Sequence, residues 1–145
     1  MHVDEAVGID RLIYALERAQ ERARQEGWPV LTSLTEPAPI LDPLAAYAAA
    51  ATNIERSLWF QPSRQFALVG VGVAQGIEAR DLERFESTRH VRRGLLNGAI
   101  VESSVNNDRG TGPVLLGAFS FDPRRVSTEE WHGFPAARLI LPRLV

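Results

Sequence analysis

The sequence predicts a single α+β domain over residues 1–145, in which a mainly antiparallel β-sheet is covered by two long helices. Three observations lead to this fold class. Apolar residues recur at helical spacing over residues 9–26 and 78–99, and β-type runs separated by turn residues fill much of the rest. Residues 112–123 form an almost uninterrupted apolar run. A strand that is apolar on both faces needs cover on each side, so we expect this run in the middle of the sheet.

Composition and charge exclude several classes of protein. The chain has 145 residues, 45% of them hydrophobic and 23% charged, which is ordinary for a soluble globular protein. No apolar run approaches the ~20 residues that span a bilayer, and the N-terminus lacks a signal-peptide core. The formal net charge of −2 produces no field that attracts nucleic acid or an anionic membrane. We therefore expect a cytoplasmic protein with no nucleic-acid partner and no membrane partner.

Two missing residue types also limit the chemistry. There is no cysteine, which excludes a disulfide, a thiolate nucleophile and a metal ion held by sulfur. All 16 basic residues are arginine, and arginine stays protonated and cannot serve as an ordinary general base. A mechanism that requires a lysine amine is therefore closed to this chain.

The N-terminal part of the chain predicts a helix, a short strand and a second helix. The amphipathic pattern over residues 9–26 ends at Gly27, and a Trp-Pro pair then stops the helix. Its apolar face consists of Ile9, Leu12, Ile13, Leu16, Ala19 and Ala23. Residues 30–35 have β-type side chains and are followed by a proline-rich loop. Asp42 is a predicted N-cap with Pro43 at the first helical position, which starts an alanine-rich helix.

Two β-type runs in the middle of the chain predict a hairpin. They cover residues 57–60 and 65–73 and flank a Gln-Pro-Ser-Arg segment of turn composition. On the second run, Gly70 and Gly72 lie on the same face. Glycines side by side on one face let a helix or another backbone come close, so we expect a close approach here. A last strand is predicted over residues 136–141.

The second long helix, over residues 78–99, contains an exception to its amphipathic pattern. Its broad apolar half is formed by Leu82, Phe85, Val91, Leu95, Leu96 and Ala99. At about 100° per residue, Arg89 and Arg92 fall in the same half. Either their charged ends reach the rim while the stems are buried, or the guanidiniums pair with carboxylates inside, with Glu102 or Asp122 as partners. Arg89 and Arg92 are therefore kept as an anion or ion-pair site.

Other motifs favour ordinary structure over chemistry. Residues 70–76 have glutamine where a dinucleotide-binding loop needs its third glycine, and residues 108–112 lack the lysine of a phosphate-binding P-loop. The three histidines, His2, His90 and His132, do not have the spacing of metal ligands.

A cluster near the C-terminus is also interpreted as structural. Glu129 and Glu130 stand beside Trp131 and His132, but adjacent side chains do not converge on one point. A solvated loop with Trp131 tucked inward is favoured over a catalytic or metal site. We therefore predict no catalytic, no cofactor-binding and no metal-binding residue in this chain.

Three segments, in their order and spacing, carry a resemblance to a known family. They are LWFQPSRQFALVGVG at residues 58–72, GPVLLGAFSFDP at residues 112–123 and WHGFPAARLILP at residues 131–142. The Asp42 helix start and the Arg84-Phe85 helix fit between and before them. Together they resemble the N-terminal region of isochorismate synthases, in the chorismate-utilising enzyme family, and the resemblance covers about residues 30–145.

The resemblance implies a fragment of an enzyme without its active part. In that family the chorismate site, the Mg²⁺-binding glutamates, the catalytic lysine and the general acid all belong to the C-terminal chorismate-binding part. None of these residues has a counterpart here, so no cofactor is expected in this chain and Mg²⁺ only in the full-length enzyme. The implied reaction of that enzyme, an isomerase, is chorismate to isochorismate, for menaquinone or siderophore biosynthesis.

Two kinds of partner follow from this interpretation. The expected partner is the C-terminal chorismate-binding region of the same protein, against which this chain would serve as scaffold. A homo-oligomer is expected as a substitute when that region is missing, because open sheet edges and apolar patches invite pairing. The alternative is a free-standing binding or assembly module that uses Arg89 and Arg92 for an anionic ligand or partner.

Overall fold

A computed structural model describes residues 3–80, 82–106, 109–122, 129–131 and 133–145. Its elements in chain order are α1 (Val3–Glu26), β1 (Thr32–Thr35), α2 (Pro43–Ala49), β2 (Arg56–Gln61), β3 (Phe66–Val71), β4 (Gln75–Ala79), α3 (Arg84–Leu96), β5 (Ile100–Ser103), β6 (Leu116–Phe119) and β7 (Ala137–Leu141). The predicted α+β class is confirmed, and three of the four strand pairings are antiparallel.

The described residues group into two compact units. The first consists of residues 1–39 and 92–113, and the second of residues 40–91 and 114–145, so the division falls within α3. Whether they act as the single domain expected over residues 1–145 stays a prediction. No described helix is long and apolar enough to cross a membrane.

The first unit contains a parallel strand pair covered by α1. Thr32 to Thr35 of β1 pair in register with Ile100 to Ser103 of β5. The core of this unit is made by Ala15 and Ala19 of α1, both buried, with Ile100. Small side chains allow the helix backbone to approach the strands closely. The predicted strand at residues 30–35 is confirmed, whereas β5 was not predicted.

The buried side of α1 agrees only in part with the predicted face: Ala19 is buried as predicted, but the other buried alanine, Ala15, was not assigned to that face. The helix contacts the strands through its alanines, and the larger apolar residues on the neighbouring face are exposed. These residues are Ile9, Leu12, Ile13 and Leu16, which are 40–55% exposed. The helix therefore has two adjacent apolar faces, and the periodicity alone gave too much weight to the bulkier one.

The second unit begins with α2 and the β2–β3 hairpin. Asp42 caps α2 as predicted, with its side chain accepting a hydrogen bond from the Leu44 backbone N–H at 3.1 Å. The hairpin is also confirmed, and it is joined by a short 3-10 turn over Pro62–Arg64. Arg56 of β2 connects the two elements, because its guanidinium lies 4.7 Å from the Tyr47 ring and donates to backbone carbonyls at the end of α2.

The second unit also contains a three-stranded antiparallel sheet in the order β4–β7–β6. The apolar run of residues 112–123 was expected in the middle of a sheet, but it supplies only β6, which lies at the edge. The middle position belongs to β7, the predicted last strand, whose Ala137, Leu139, Ile140 and Leu141 are buried. The expectation was wrong because apolar side chains on both faces do not determine a strand's neighbours, which depend on distant pairing. Of the β6 residues only Leu116 is buried.

The second long helix is shorter than predicted. Residues 75–79 form β4 and pair antiparallel with β7, and α3 begins only at Arg84. The cover of the sheets is therefore one long helix, α1, and one of 13 residues, α3. Phe85 of α3 stacks on Phe119 of β6 with ring centroids 4.7 Å apart, which places the start of α3 against the three-stranded sheet.

The expected close approach at Gly70 and Gly72 is confirmed, and the end of the chain makes it. A Cβ atom at Gly70 would lie 2.7 Å from Pro142 Cγ, and one at Gly72 would lie 3.4 Å from the Arg143 side chain. Gly72 also has a positive φ of 70°. Beside these glycines, Val71 and Leu144 form an antiparallel bridge.

Candidate functional site

The two arginines expected on the buried half of the second helix are exposed. Arg89 is 61% exposed, and its nearest carboxylate is Glu86 one turn away, at 3.4 Å. Arg92 is exposed as well. Glu102, one of the two expected partners, instead pairs with Arg18 of α1 at 2.8 Å. The placement in the buried half was therefore wrong, while a role of Arg89 and Arg92 in anion binding stays a prediction.

The buried arginine of α3 is Arg84, which is only 7% exposed. Its guanidinium lies 4.4 Å from the Phe85 ring and donates to the backbone carbonyls of Ser120 and Phe121, at 3.2 and 3.5 Å. In the described part of the chain, its Nε and the Ser120 hydroxyl have no hydrogen-bond partner. Arg84 thus joins the start of α3 to the end of β6 through the backbone.

Wheel geometry explains why Arg84 was missed. At about 100° per residue, Arg84 lies about 20° from both Val91 and Leu95, within the predicted apolar half. The predicted apolar half included Leu82 and Phe85, but these two side chains are 58% and 57% exposed. The buried side of α3 is instead the side that carries Arg84 and Thr88. Arg89 does not lie on that side of the helix. The wheel position of Arg84 was the signal that could have identified it.

A second ionic cluster surrounds Arg138 of β7. Its guanidinium donates to both carboxylate oxygens of Glu55 at 3.0 Å and to Glu78 of β4 at 2.8 Å. Arg80 lies 3.9 Å from the other oxygen of Glu78. Hydrogen bonding to Glu55, its Coulombic attraction and the weaker influence of Glu78 raise the pKa of Arg138 above its ordinary value. The Arg138 guanidinium therefore stays protonated and cannot act as a general base.

A shallow cleft of about 290 Å³ adjoins this cluster. It is lined by Val73, Gly76, Ile77, Glu78, Arg138, Leu139 and Ile140. Its walls are mainly apolar, and its two charged side chains already neutralise each other. The cleft therefore offers neither a nucleophile nor an acid–base pair. The residues that line it instead hold β4 on β7.

The first unit has its own polar cluster, at the C-terminal ends of β1 and β5. Glu36 accepts a hydrogen bond from Arg11 at 2.7 Å and another from the Ser104 hydroxyl. The Thr35 hydroxyl accepts from the Gly112 backbone N–H at 3.0 Å. These hydrogen bonds hold the segments that follow the parallel strands in place, so the cluster has a structural role.

The remaining candidates add no chemical site. Trp131 was expected to be tucked inward, but it is 60% exposed and lies edge-on to Phe134 with centroids 5.6 Å apart. His90 is exposed, and His2, His132 and Asp108 lie outside the described residues. Within the described ranges, no group of three or more histidine or acidic side chains is arranged to hold a metal ion.

The three segments that carry the resemblance to chorismate-utilising enzymes supply β3, β6 and β7 and most of β2. A comparison with protein families agrees with that resemblance. The family described as "Chorismate binding enzyme" matches residues 15–145. The chain therefore belongs to the chorismate-binding enzyme family.

One curated relative shows which branch of the family the chain is similar to. It is isochorismate synthase MenF of Bacillus subtilis (strain 168), which is 28% identical over 135 residues. The alignment covers 88% of this chain but only 28% of the relative. The chain thus spans about a quarter of the length of an enzyme in this family. A comparison with solved structures finds no match.

Proposed function

We propose that this chain is the N-terminal scaffold portion of an isochorismate synthase-like enzyme and is inactive on its own. In the complete enzyme, chorismate would be converted to isochorismate with Mg²⁺. A water molecule would attack C2 of the ring while the C4 hydroxyl group leaves, so the reaction is an isomerisation. The catalytic groups and the Mg²⁺ would be supplied by the chorismate-binding region of the same protein.

The observation that carries this proposal is the extent of the match. Almost the whole chain aligns with an isochorismate synthase, yet it corresponds to only 28% of that enzyme. The residues at hand agree with a scaffold role, because the charged clusters around Arg138, Arg84 and Glu36 hold strands and loops together. The sequence also contains no lysine, so an amine base would have to come from another region.

The test uses two proteins, the chain alone and a chimera. In the chimera, this chain replaces the 135-residue aligned segment of the Bacillus subtilis enzyme. Each protein is incubated with chorismate and Mg²⁺, and isochorismate is followed by chromatography. We expect turnover by the chimera and none above the uncatalysed background by the chain alone. Turnover by the chain alone, or a folded chimera without any, contradicts the proposal.

The exposure of Arg89 and Arg92 supports one rival function, a free-standing module that binds an anionic ligand or partner. Both guanidiniums reach solvent, and Arg89 is only weakly engaged by Glu86. The rival expects the chain alone to bind an anionic probe such as heparin, and expects R89M/R92M to lose that binding in low salt. Substitution of Arg24 and Arg64, two other exposed arginines, is the matched control. Equal losses from both double variants would exclude a specific site.

A further inference from the structure

The outer edge of β3, the edge that faces away from β2, is only partly occupied. At its end, the Val71 backbone N–H donates to Leu144 at 2.9 Å, and the Leu144 N–H donates back to Val71 at 3.2 Å. Leu144 runs antiparallel to β3 at this point. Val71 and Leu144 therefore already form one antiparallel hydrogen-bonded pair on this edge.

The direction of the remaining backbone groups follows from this pair. In an antiparallel pair, successive residues direct their N–H and C=O groups to opposite edges. Gly72 donates to Glu55 on the β2 side, and Val71 bonds on the other side. Val69 and Ala67 must then direct their backbone groups to the outer edge. In the described part of the chain, neither residue has a backbone partner there.

The side chains of β3 do nothing to prevent another strand from pairing. Natural proteins protect open edges with charged residues, prolines or bulges. The strand Phe66–Val71 contains none of these, since its sequence is FALVGV and its register with β2 is unbroken. Its residues are half-buried or buried, so none of them is fully exposed to solvent. An unprotected edge of this kind is suited to an intramolecular strand that is always present.

We propose that an extended strand of the catalytic chorismate-binding region pairs with the outer edge of β3, antiparallel to it and in line with Leu144. This inference rests on the proposed function, which supplies that region. The strand would form hydrogen-bonded pairs with Val69 and Ala67, about four hydrogen bonds in all. The β2–β3 hairpin would then become the end of a larger sheet that joins the scaffold to the catalytic region.

The position of Leu144 favours this occupant over a second copy of the chain. In an antiparallel arrangement, the residue after Leu144 faces the residue before Val71, so Val145 lies beside Gly70. A strand from another molecule would have to begin where Val145 already lies and would cover only two outward-facing residues. A strand of the same protein continues the existing direction and avoids the entropy loss of bringing two molecules together.

Hydrogen exchange tests the pairing independently of activity. The chain alone and the Bacillus subtilis chimera are labelled with deuterium, and the peptide that covers β3 is measured by mass spectrometry. The amides of Phe66, Leu68 and Gly70 bond to β2 and should be slow in both proteins. Those of Ala67 and Val69 should be fast in the chain alone and slow in the chimera, a difference of two amides.

Proline substitutions provide the matched pair of variants. Val69→Pro removes one outward N–H from β3, and Leu58→Pro removes one outward N–H from the opposite edge of the same hairpin. We expect V69P to lower the melting temperature of the chimera clearly more than L58P does. In the chain alone, the two variants should have similar effects. Circular dichroism of each isolated variant shows whether the hairpin units still fold.

The outcomes separate this inference from the proposed function. An active chimera in which Ala67 and Val69 remain fast overturns the pairing and leaves the function standing. An inactive chimera in which both amides become slow supports the pairing and contradicts the function. Slow exchange of both amides in the chain alone at every protein concentration would show that the edge is already covered and would overturn the inference. Equal destabilisation of the chimera by V69P and L58P would also overturn it.

Discussion

Gly117 of β6 is the position where one added methyl group should destabilise the fold most. It faces Leu139 of β7 in the sheet register. A Cβ atom at Gly117 would overlap the Arg138 carbonyl oxygen and lie 2.7 Å from Leu139 Cα, both of which are backbone atoms. Ordinary contact begins near 3.4 Å, so the strands would have to separate by about 0.7 Å to clear Leu139 Cα and by more to clear the Arg138 oxygen.

The expected cost of Gly117→Ala follows from the atoms that must move. Overpacking usually costs about 1–3 kcal/mol, and the upper end applies where a rigid backbone has to shift. We therefore expect a loss of about 3 kcal/mol in the free energy of unfolding. This is a large part of the roughly 5–15 kcal/mol that stabilises a typical domain. Urea unfolding followed by tryptophan fluorescence measures the change.

Alanine substitution at two other strand glycines should have a smaller cost in stability than at Gly117. At Gly70 the nearest obstacles are side chains, Pro142 at 2.7 Å and Leu116 at 3.0 Å, so Gly70→Ala should cost about 1–2 kcal/mol. Gly76 of β4 has no atom within 4 Å of the added methyl group. Gly76→Ala should be neutral or stabilise by up to about 1 kcal/mol, because it restricts the unfolded chain. A Gly117→Ala protein as stable as the Gly76→Ala protein would refute this reasoning.

Three further substitutions test the interactions that hold the elements together. Arg84→Met should lower the free energy of unfolding by about 2 kcal/mol, because it removes the hydrogen bonds of a buried guanidinium to the Ser120 and Phe121 carbonyls, whereas the exposed Arg89→Met should change it by less than about 0.5 kcal/mol; equal effects in urea unfolding would contradict the assigned burial. Asp42→Ala should cost about 1 kcal/mol through the lost cap on the Leu44 amide, and Asp42→Asn should largely restore it in the same assay. Arg138→Met should cost about 1 kcal/mol at low ionic strength and less in about 0.5 M salt, since the ion pairs are half-exposed, and a cost that does not change with salt would argue against them.

Elements specified by neighbouring residues could be predicted from the sequence. Asp42 and Pro43 contain everything that a helix start requires, and the Gln-Pro-Ser-Arg segment contains the turn of the β2–β3 hairpin. The last strand was found because four of its five residues are apolar. In each case the interactions that determine the element lie within a few residues of it.

Features that depend on distant contacts could not be predicted in this way. β4 looks like a helix start from its own residues, and only its pairing with β7 makes it a strand. The buried face of α1 was misjudged because the parallel strands select alanines, which allow a close approach, over Leu12 and Leu16. The wheel position of Arg84 was a signal of its burial, but its partners, the backbone carbonyls of Ser120 and Phe121, leave no trace in the pattern of side chains.

The parallel pairing of β1 and β5 has a consequence for how the chain folds. Thr32 meets Ile100, so 68 positions separate the first paired residues, and no short turn can bring them together. By contrast, β2 and β3 adjoin in the chain and can pair as soon as both have left the ribosome. At synthesis rates of about 5–20 residues per second, α1 and β1 wait for at least several seconds before β5 exists. During that interval the alanine face of α1 has no strand pair to cover it, so the N-terminal segment keeps this apolar face exposed until β5 has been synthesised.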